Sequence, residues 1–428
     1  MLQTQGSAGA VELIPAASRL IGSLRDMGYE FATAVADLVD NSIEAGATRV
    51  SIDIEFEGGD SWVRIADDGS GMSPAALMEA MRYGSTRRYS EEDLGKFGLG
   101  LKVASLSQCR CLSVASRTSR ETIAYCWDLE HIERTNRWEL IPLPRQPRGP
   151  SLHDLLKGSG GTVVLWQSLD RILGYRDPNG EPARRRLAAM CREVEGHLAV
   201  VFHRYLSGEV RGRQLRIQVN GTEIRPWDPF AREEQATKRL EPIRIRLGQS
   251  DVRGEITLEP FVLPHQADFS SPDTFRLASG PANWNQQQGF YVYRSQRLIQ
   301  SGGWCRIRSV DEHTKLARVA LRFSPQLDDV LRVNVSKMRV ELPHWMREQI
   351  ADALSPVIRM ANEAYRRTGG SGNGSKHPVQ SAGRSHRHAL RNLDQAVKSL
   401  LSIASAEERS VIRRVAARLS KSNGRGKQ

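Results

Sequence analysis

Asp37 and Asn41 stand four residues apart in Asp37-Leu-Val-Asp40-Asn41-Ser42, inside a run whose apolar positions repeat at helical spacing. On a helix that spacing puts a carboxylate and an amide on one face, while Leu38 and Val39 turn into a core. A carboxylate so placed can orient or deprotonate a water. The amide oxygen can complete a magnesium shell made otherwise of phosphate oxygens and waters. A second stretch, Asp67-Asp68-Gly69-Ser70-Gly71-Met72, directly follows an alternating strand pattern. Its glycines let the backbone turn sharply and approach a ligand closely, and an acidic acceptor beside them can take the exocyclic amine of adenine. The third, Gly95-Lys96-Phe97-Gly98-Leu99-Gly100-Leu101-Lys102, falls at a loop-to-helix junction. Three glycines there bare backbone N–H groups at a helix N-terminus, a cradle for phosphate to which Lys96 and Lys102 add positive charge. No Gly-Lys-Ser/Thr closes it, so it is not a P-loop of the Walker type. Singly, each stretch also has an ordinary reading: solvated helix residues, an exposed turn, a structural glycine loop.

The elements that must position these residues follow from periodicity. Residues 14–27 and 29–45 read as helices, the second stopped by Gly46 as a left-handed cap. Alternating stretches at 49–56 and 62–66 flank a hairpin turn at Gly58-Gly59-Asp60. Ser73-Pro74 opens a helix, with Ser as N-cap and Pro in the first turn. A helix runs on from the third stretch to Ser107, and strands at 111–116, 122–128 and 162–166 complete helices laid on a sheet. Beyond residue 170 come a helix bearing Arg184-Arg185-Arg186, strand-like pieces at 215–219, 243–247, 289–293 and 331–335, and a helix at 343–367. Gly369-Gly-Ser-Gly-Asn-Gly-Ser375 reads as a flexible linker before two amphipathic helices, 390–404 and 406–419.

Together, and in this order, the three stretches closely resemble the N, G1 and G2 boxes of the GHKL superfamily (gyrase, heat-shock-90 chaperone, histidine kinase, MutL). Gly161-Thr162 resembles the later Gly-Thr motif. The resemblance covers residues 11–170 and implies an α+β fold, a Bergerat-type left-handed βαβ sandwich with ATP under a lid. In this likeness Asp67 holds the adenine amine, Gly69, Gly71 and Met72 shape the pocket, and Thr162 supports it. Asn41 binds Mg2+, and Gly98, Gly100 and Lys102 hold the phosphates. Glu44, Ala45, Ser85, Lys96 and Leu99 join the nucleotide contacts, and Asp37 is the general base. The chain departs from the usual pattern here, because most ATP-hydrolysing members carry Glu. Asp is one methylene shorter, leaving water about 1 Å farther off, which implies slow turnover or a base role displaced onto Asp40 or Glu44.

Further along, residues 289–299 (Gly-Phe-Tyr-Val-Tyr-Arg-Ser-Gln-Arg-Leu-Ile) resemble the YxNxRLI strand–turn of MORC-like and MutL-like proteins. Asn334-Val-Ser-Lys337 resembles the transducer loop whose lysine reaches the γ-phosphate. The expected organisation is an ATP-binding domain at 11–170 and a transducer-like (ribosomal-protein-like) α+β domain at 171–367. A linker at 368–388 and a basic helical tail at 389–428 follow. A histidine kinase is disfavoured, since no His precedes His131.

Hydrophobic content of 39% and charge of 26% suit an ordinary globular protein. The longest apolar runs, such as 198–202, fall far short of a membrane span of roughly 20 residues, and no leader pattern opens the chain. Five dispersed cysteines read as reduced thiols of a cytoplasmic protein. Net charge is +12, and residues 384–428 hold eleven Lys/Arg against three Asp/Glu, two thirds of the excess. Such a tail favours nucleic acid. The resulting expectation is a homodimeric ATPase that clamps nucleic acid. The alternatives are a heat-shock-90-like chaperone ATPase acting on protein clients and a non-hydrolysing ATP switch.

Overall fold

The computed structural model describes residues 14–366, except 27, 85–99, 144–159, 250–251, 282 and 333–339. The chain divides at Thr368/Gly369, and all that follows concerns the first unit. The expected linker and basic tail lie outside the described residues.

The chain opens with helices α1 (Ala17–Arg25) and α2 (Phe31–Glu44). Eleven residues of α2 are buried, which is what a helix apolar nearly all round requires. It ends where expected: Gly46 takes a φ of +73°, and its N–H and that of Ala47 bond back to Ile43 and Ser42 carbonyls. Strands β1 (Arg49–Glu55) and β2 (Trp62–Asp67) form the hairpin around a short 3-10 turn at Gly58–Asp60. Helix α3 (Pro74–Met81) starts at Ser73, whose hydroxyl accepts from the Ala76 amide. Gly100–Ala104 is a π-helical turn. After it come β3 (Cys111–Arg117), β4 (Thr122–Asp128), α4 (Leu129–Thr135), β5 (Ile141–Pro142) and β6 (Gly161–Gln167).

The long helix α5 (Glu181–Val201) and short α6 (His203–Leu206) lead to β7 (Arg216–Val219) and β8 (Thr222–Glu223). These two strands join the first sheet, whose order is β5-β4-β3-β6-β2-β1-β7-β8; β7 runs parallel to β1. One apolar core unites α1, α2, α5 and this sheet as far as Ile224. The boundary expected at residue 170 therefore falls inside one packed layer. The reason is that Leu187, Val194 and Leu198 of α5, together with Ile217 and Val219, bury their apolar faces there.

The second sheet has six strands: β9 (Lys238–Arg239), β10 (Ile243–Gln249), β11 (Val252–Val262), β12 (Gly289–Arg294), β13 (Arg297–Ser301) and β14 (Ala317–Phe323). The order is β10-β11-β14-β12-β13, with β9 on β11. Helix α7 (Pro272–Ala278) links β11 to β12, and α8 (His344–Arg366) packs on this sheet in a second core. Leu331, expected at the start of a strand, lies in a turn. Among the described residues no helix is long and apolar enough to cross a membrane.

A buried polar joint ties α6 to the second sheet. His203 Nε2 lies 2.7 Å from the Tyr293 hydroxyl, and the Arg204 guanidinium stacks 3.6 Å from the Tyr293 ring centre. Burial, then the Arg204 charge, pushes His203 down to about 4; burial and the Arg297 charge do the same to His197. The unfolded chain takes up protons near pH 6.5 that the folded chain refuses until about pH 4. Stability is thus fully present above pH 6.5 and is lost as pH falls toward 4. His203 alone accounts for on the order of 2 kcal/mol by pH 5. Urea unfolding at pH 7 and pH 5 is expected to show this loss, reduced by that amount in His203→Gln. An equal loss in both proteins would exclude His203 as the source.

Candidate functional site

Asp67 is the last residue of β2, paired in register with Thr162 of β6, so its carboxyl emerges where two strands end together. Its Oδ1 accepts the Gly69 amide at 2.9 Å and the Thr162 amide at 3.2 Å, while Oδ2 accepts the Ser42 hydroxyl at 3.0 Å. These donors come from the turn, from the neighbouring strand and from α2, so the carboxylate is held in one orientation. Burial pushes this carboxyl above the usual range, against the pull of the same three hydrogen bonds.

The glycines after it are required by close contact. A Cβ on Gly69 would stand 2.8 Å from the Ala45 Cβ, and Ser70 N–H donates to the Ala45 carbonyl at 3.0 Å. Gly71, at φ +68°, would meet the Arg117 carbonyl at 1.8 Å. The Met72 amide donates to Ser116 Oγ at 2.8 Å, and that oxygen lies 3.0 Å from Thr162 Oγ1. Asp68 serves the scaffold. Burial alone would raise its carboxyl, yet bonds from the Arg49 amide and from Thr48 hold it below the usual range.

Along the same helix α2, Asp37 is buried to 2% exposure and Asp40 to 1%, while Asn41 and Glu44 are exposed. Gly100 lies beside Asp37; a Cβ there would stand 3.8 Å from Oδ2. Asp37 and Ser42 are five residues apart, about 7.5 Å along the helix. One helix thus carries both the Asp67 contact and the Gly100 contact.

Two buried carboxylates in an apolar helix demand counter-charge. Arg297, itself 2% exposed, supplies it from β13 of the second sheet. Its guanidinium lies 2.8 Å from Asp40 and 3.7 Å from Asp37 Oδ1, with the Phe202 ring 5.8 Å away. Tyr29 donates its hydroxyl to Asp37 Oδ2 at 3.0 Å; burial, then the Asp37 charge, pushes that phenol up. Arg297 leaves a tight turn in which Ser295 and Gln296 both have positive φ, +47° and +70°, without glycine. Tyr205 Oη donates to the Ser295 carbonyl and Arg204 to Gln296 Oε1, each at 2.8 Å, which pins that turn to α6.

Lys102 is buried, and its ammonium donates to the Ala80 and Arg82 carbonyls at 2.9 and 2.8 Å. Burial pushes it down to about 8. Ser85, Lys96, Gly98, Leu99 and Lys337 lie outside the described residues. Sequence reasoning missed Ser42, Ser116, Tyr29 and Arg297 as parts of the site. The usable signal was charge: Asp37 and Asp40 in a run of Ala, Val and Leu imply a cation elsewhere.

The region is thus a sheet backed by helices, with an anchored strand-end Asp, tight glycines and a neighbouring Gly-Thr. Residues 29–162 match the family described as histidine kinase-, DNA gyrase B-, and HSP90-like ATPase, and they form a domain of the GHKL superfamily. Over a longer stretch the chain is similar to DNA mismatch repair protein MutL. The protein of Shewanella halifaxensis (strain HAW-EB4) is 31% identical over 214 residues, 49% of this chain and 30% of that protein. That of Shewanella sp. (strain MR-4) is 38% identical over 238 residues, 52% and 33% respectively. That of Klebsiella pneumoniae (strain 342) is 30% identical over 217 residues, 49% and 30%. The chain thus spans about a third of the length of these relatives.

Proposed function

We propose that this protein binds ATP with magnesium, hydrolyses it slowly, and as a cytoplasmic homodimer uses the nucleotide state to clamp nucleic acid. The observation that carries the nucleotide reading is the Asp67 carboxylate, fixed by Gly69, Thr162 and Ser42 at the end of β2. Such an acceptor, with glycines that leave no side chain in the way, suits the adenine amine. Ala45 and Met72 border it. Gly100, beside Asp37, suits the phosphate end, continued by Ser85, Lys96, Gly98 and Leu99 in the family pattern.

Bound magnesium ATP supplies the electrophilic phosphorus, with the metal offsetting its charge. Among the described residues no three His, Cys, Asp or Glu cluster to hold a metal. In the family likeness Asn41 would hold magnesium together with phosphate oxygens and waters. Asp37 orients and deprotonates the water. Glu44, exposed at the end of α2, is assigned to the nucleotide contacts. Lys102 must leave the Ala80 and Arg82 carbonyls to reach a phosphate. Lys337 is assigned to the γ-phosphate.

The nucleic-acid part rests on the basic tail and on the MutL relatives, which are named as DNA mismatch repair proteins. ATP titration of wild type and Asp67→Asn tests the nucleotide reading. Asn keeps an acceptor for the Gly69 and Thr162 amides but turns a donor toward the adenine amine, so affinity is expected to fall roughly 10- to 100-fold with folding intact. Equal affinity in both proteins would remove Asp67 from the site.

A further inference from the structure

A second basic feature sits on the first sheet. Arg49 opens β1 and Arg216 opens β7, and the two are direct partners across the parallel pair. With Arg213 they line a cavity of about 580 Å³ walled also by Thr48, Gly208 and Gly212. All three arginines are exposed. No described carboxylate lies within ion-pair distance of their guanidiniums. Two acids close to this face are engaged elsewhere: Glu209 binds Arg232, and Asp68 accepts from Thr48 and the Arg49 amide. Like charges placed opposite each other on neighbouring strands oppose folding unless a counter-charge arrives. Gly208 and Gly212, which border the cavity, adopt positive φ and have nothing within 4 Å of a Cβ position.

We propose that this arginine-lined cavity is a contact site for the phosphodiester backbone of nucleic acid. This rests on the nucleic-acid reading above and adds a surface that does not require the tail. Arginine forks match phosphate oxygens in pairs. The lining holds no aromatic ring on which a base could stack, so backbone rather than sequence is read.

The test is fluorescence anisotropy of the full chain with a labelled 40-base-pair DNA across a salt series. Wild type is compared with Arg213→Gln/Arg216→Gln, with Arg213→Lys/Arg216→Lys, and with the distal pair Arg246→Gln/Arg276→Gln on β10 and α7. Melting temperature and ATP binding of each variant report folding. The cavity Gln pair is expected to bind about tenfold more weakly, with the slope of log K against log salt shallower by about 2. The Lys pair and the Arg246/Arg276 pair are expected to keep most of the wild-type slope. Wild-type binding with an unchanged slope in the cavity Gln pair would overturn this site while leaving nucleic-acid binding in place. Absence of any DNA binding by wild type would overturn both. Arginine-dependent binding of inorganic pyrophosphate without DNA binding would replace the polymer by a free phosphate ligand and overturn the proposal.

Discussion

Replacing Arg297 by alanine is expected to lower folding stability by about 3–5 kcal/mol, a large share of what a domain typically has. The expectation follows from placement. Arg297 is buried, and it answers two carboxylates that are also buried, Asp37 and Asp40. Removing the cation leaves both acids in an apolar setting without it, and the desolvation penalty is then unopposed. Denaturant unfolding measures the loss, and Arg297→Met/Asp40→Leu supplies the control. With both partners apolar, part of the loss should return, as a coupling of about 1 kcal/mol or more; Asp37 still lacks its cation, so recovery is incomplete. A loss below about 1 kcal/mol in Arg297→Ala would mean that water replaces the guanidinium and that the pair does not hold β13 against α2.

The second large effect concerns turnover. Asp37→Asn is expected to reduce ATP hydrolysis about 10²- to 10⁴-fold while ATP affinity stays close to wild type. Asparagine can still accept from Tyr29 but cannot take a proton from water. The wild-type rate should itself be low. One Asp37 oxygen is engaged by Tyr29 and the other faces Arg297, so a water activated there competes with both. Single-turnover measurement with each protein checks this. An undiminished rate in Asp37→Asn would exclude it as the base; no measurable rate in either protein would leave an ATP-binding switch as the better reading. Asp40 is a poor substitute, because its carboxylate is already clamped by Arg297.

Much of the local structure around the candidate site was legible along the chain. The helix at 31–44 was readable because its apolar positions recur at 3.6 residues, and its stop because Gly46 takes a left-handed turn. The acid at the end of β2 was readable because alternation gives way there to glycine. Ser42 and Ser116 were not, since a serine on a helix or strand looks the same whether it faces solvent or a carboxylate. The extent of the first sheet was also hidden. β7 is an ordinary short alternating stretch, and only its pairing with β1 assigns it to this layer.

By itself, then, the order of residues determined the local devices: a helix with two acids, a strand-end Asp before tight glycines, a Gly-Thr on a later strand. Spacing along a helix or strand settles which side chains share a face. What stands opposite that face was decided only by the tertiary structure. Arg297 meets Asp40 across a sequence separation of 257, and Arg49 meets Arg216 across a crossover through α5. The physical reason is that periodicity records how much surface an element must bury, whereas the partner that buries it depends on how the chain crosses back, which no local pattern encodes.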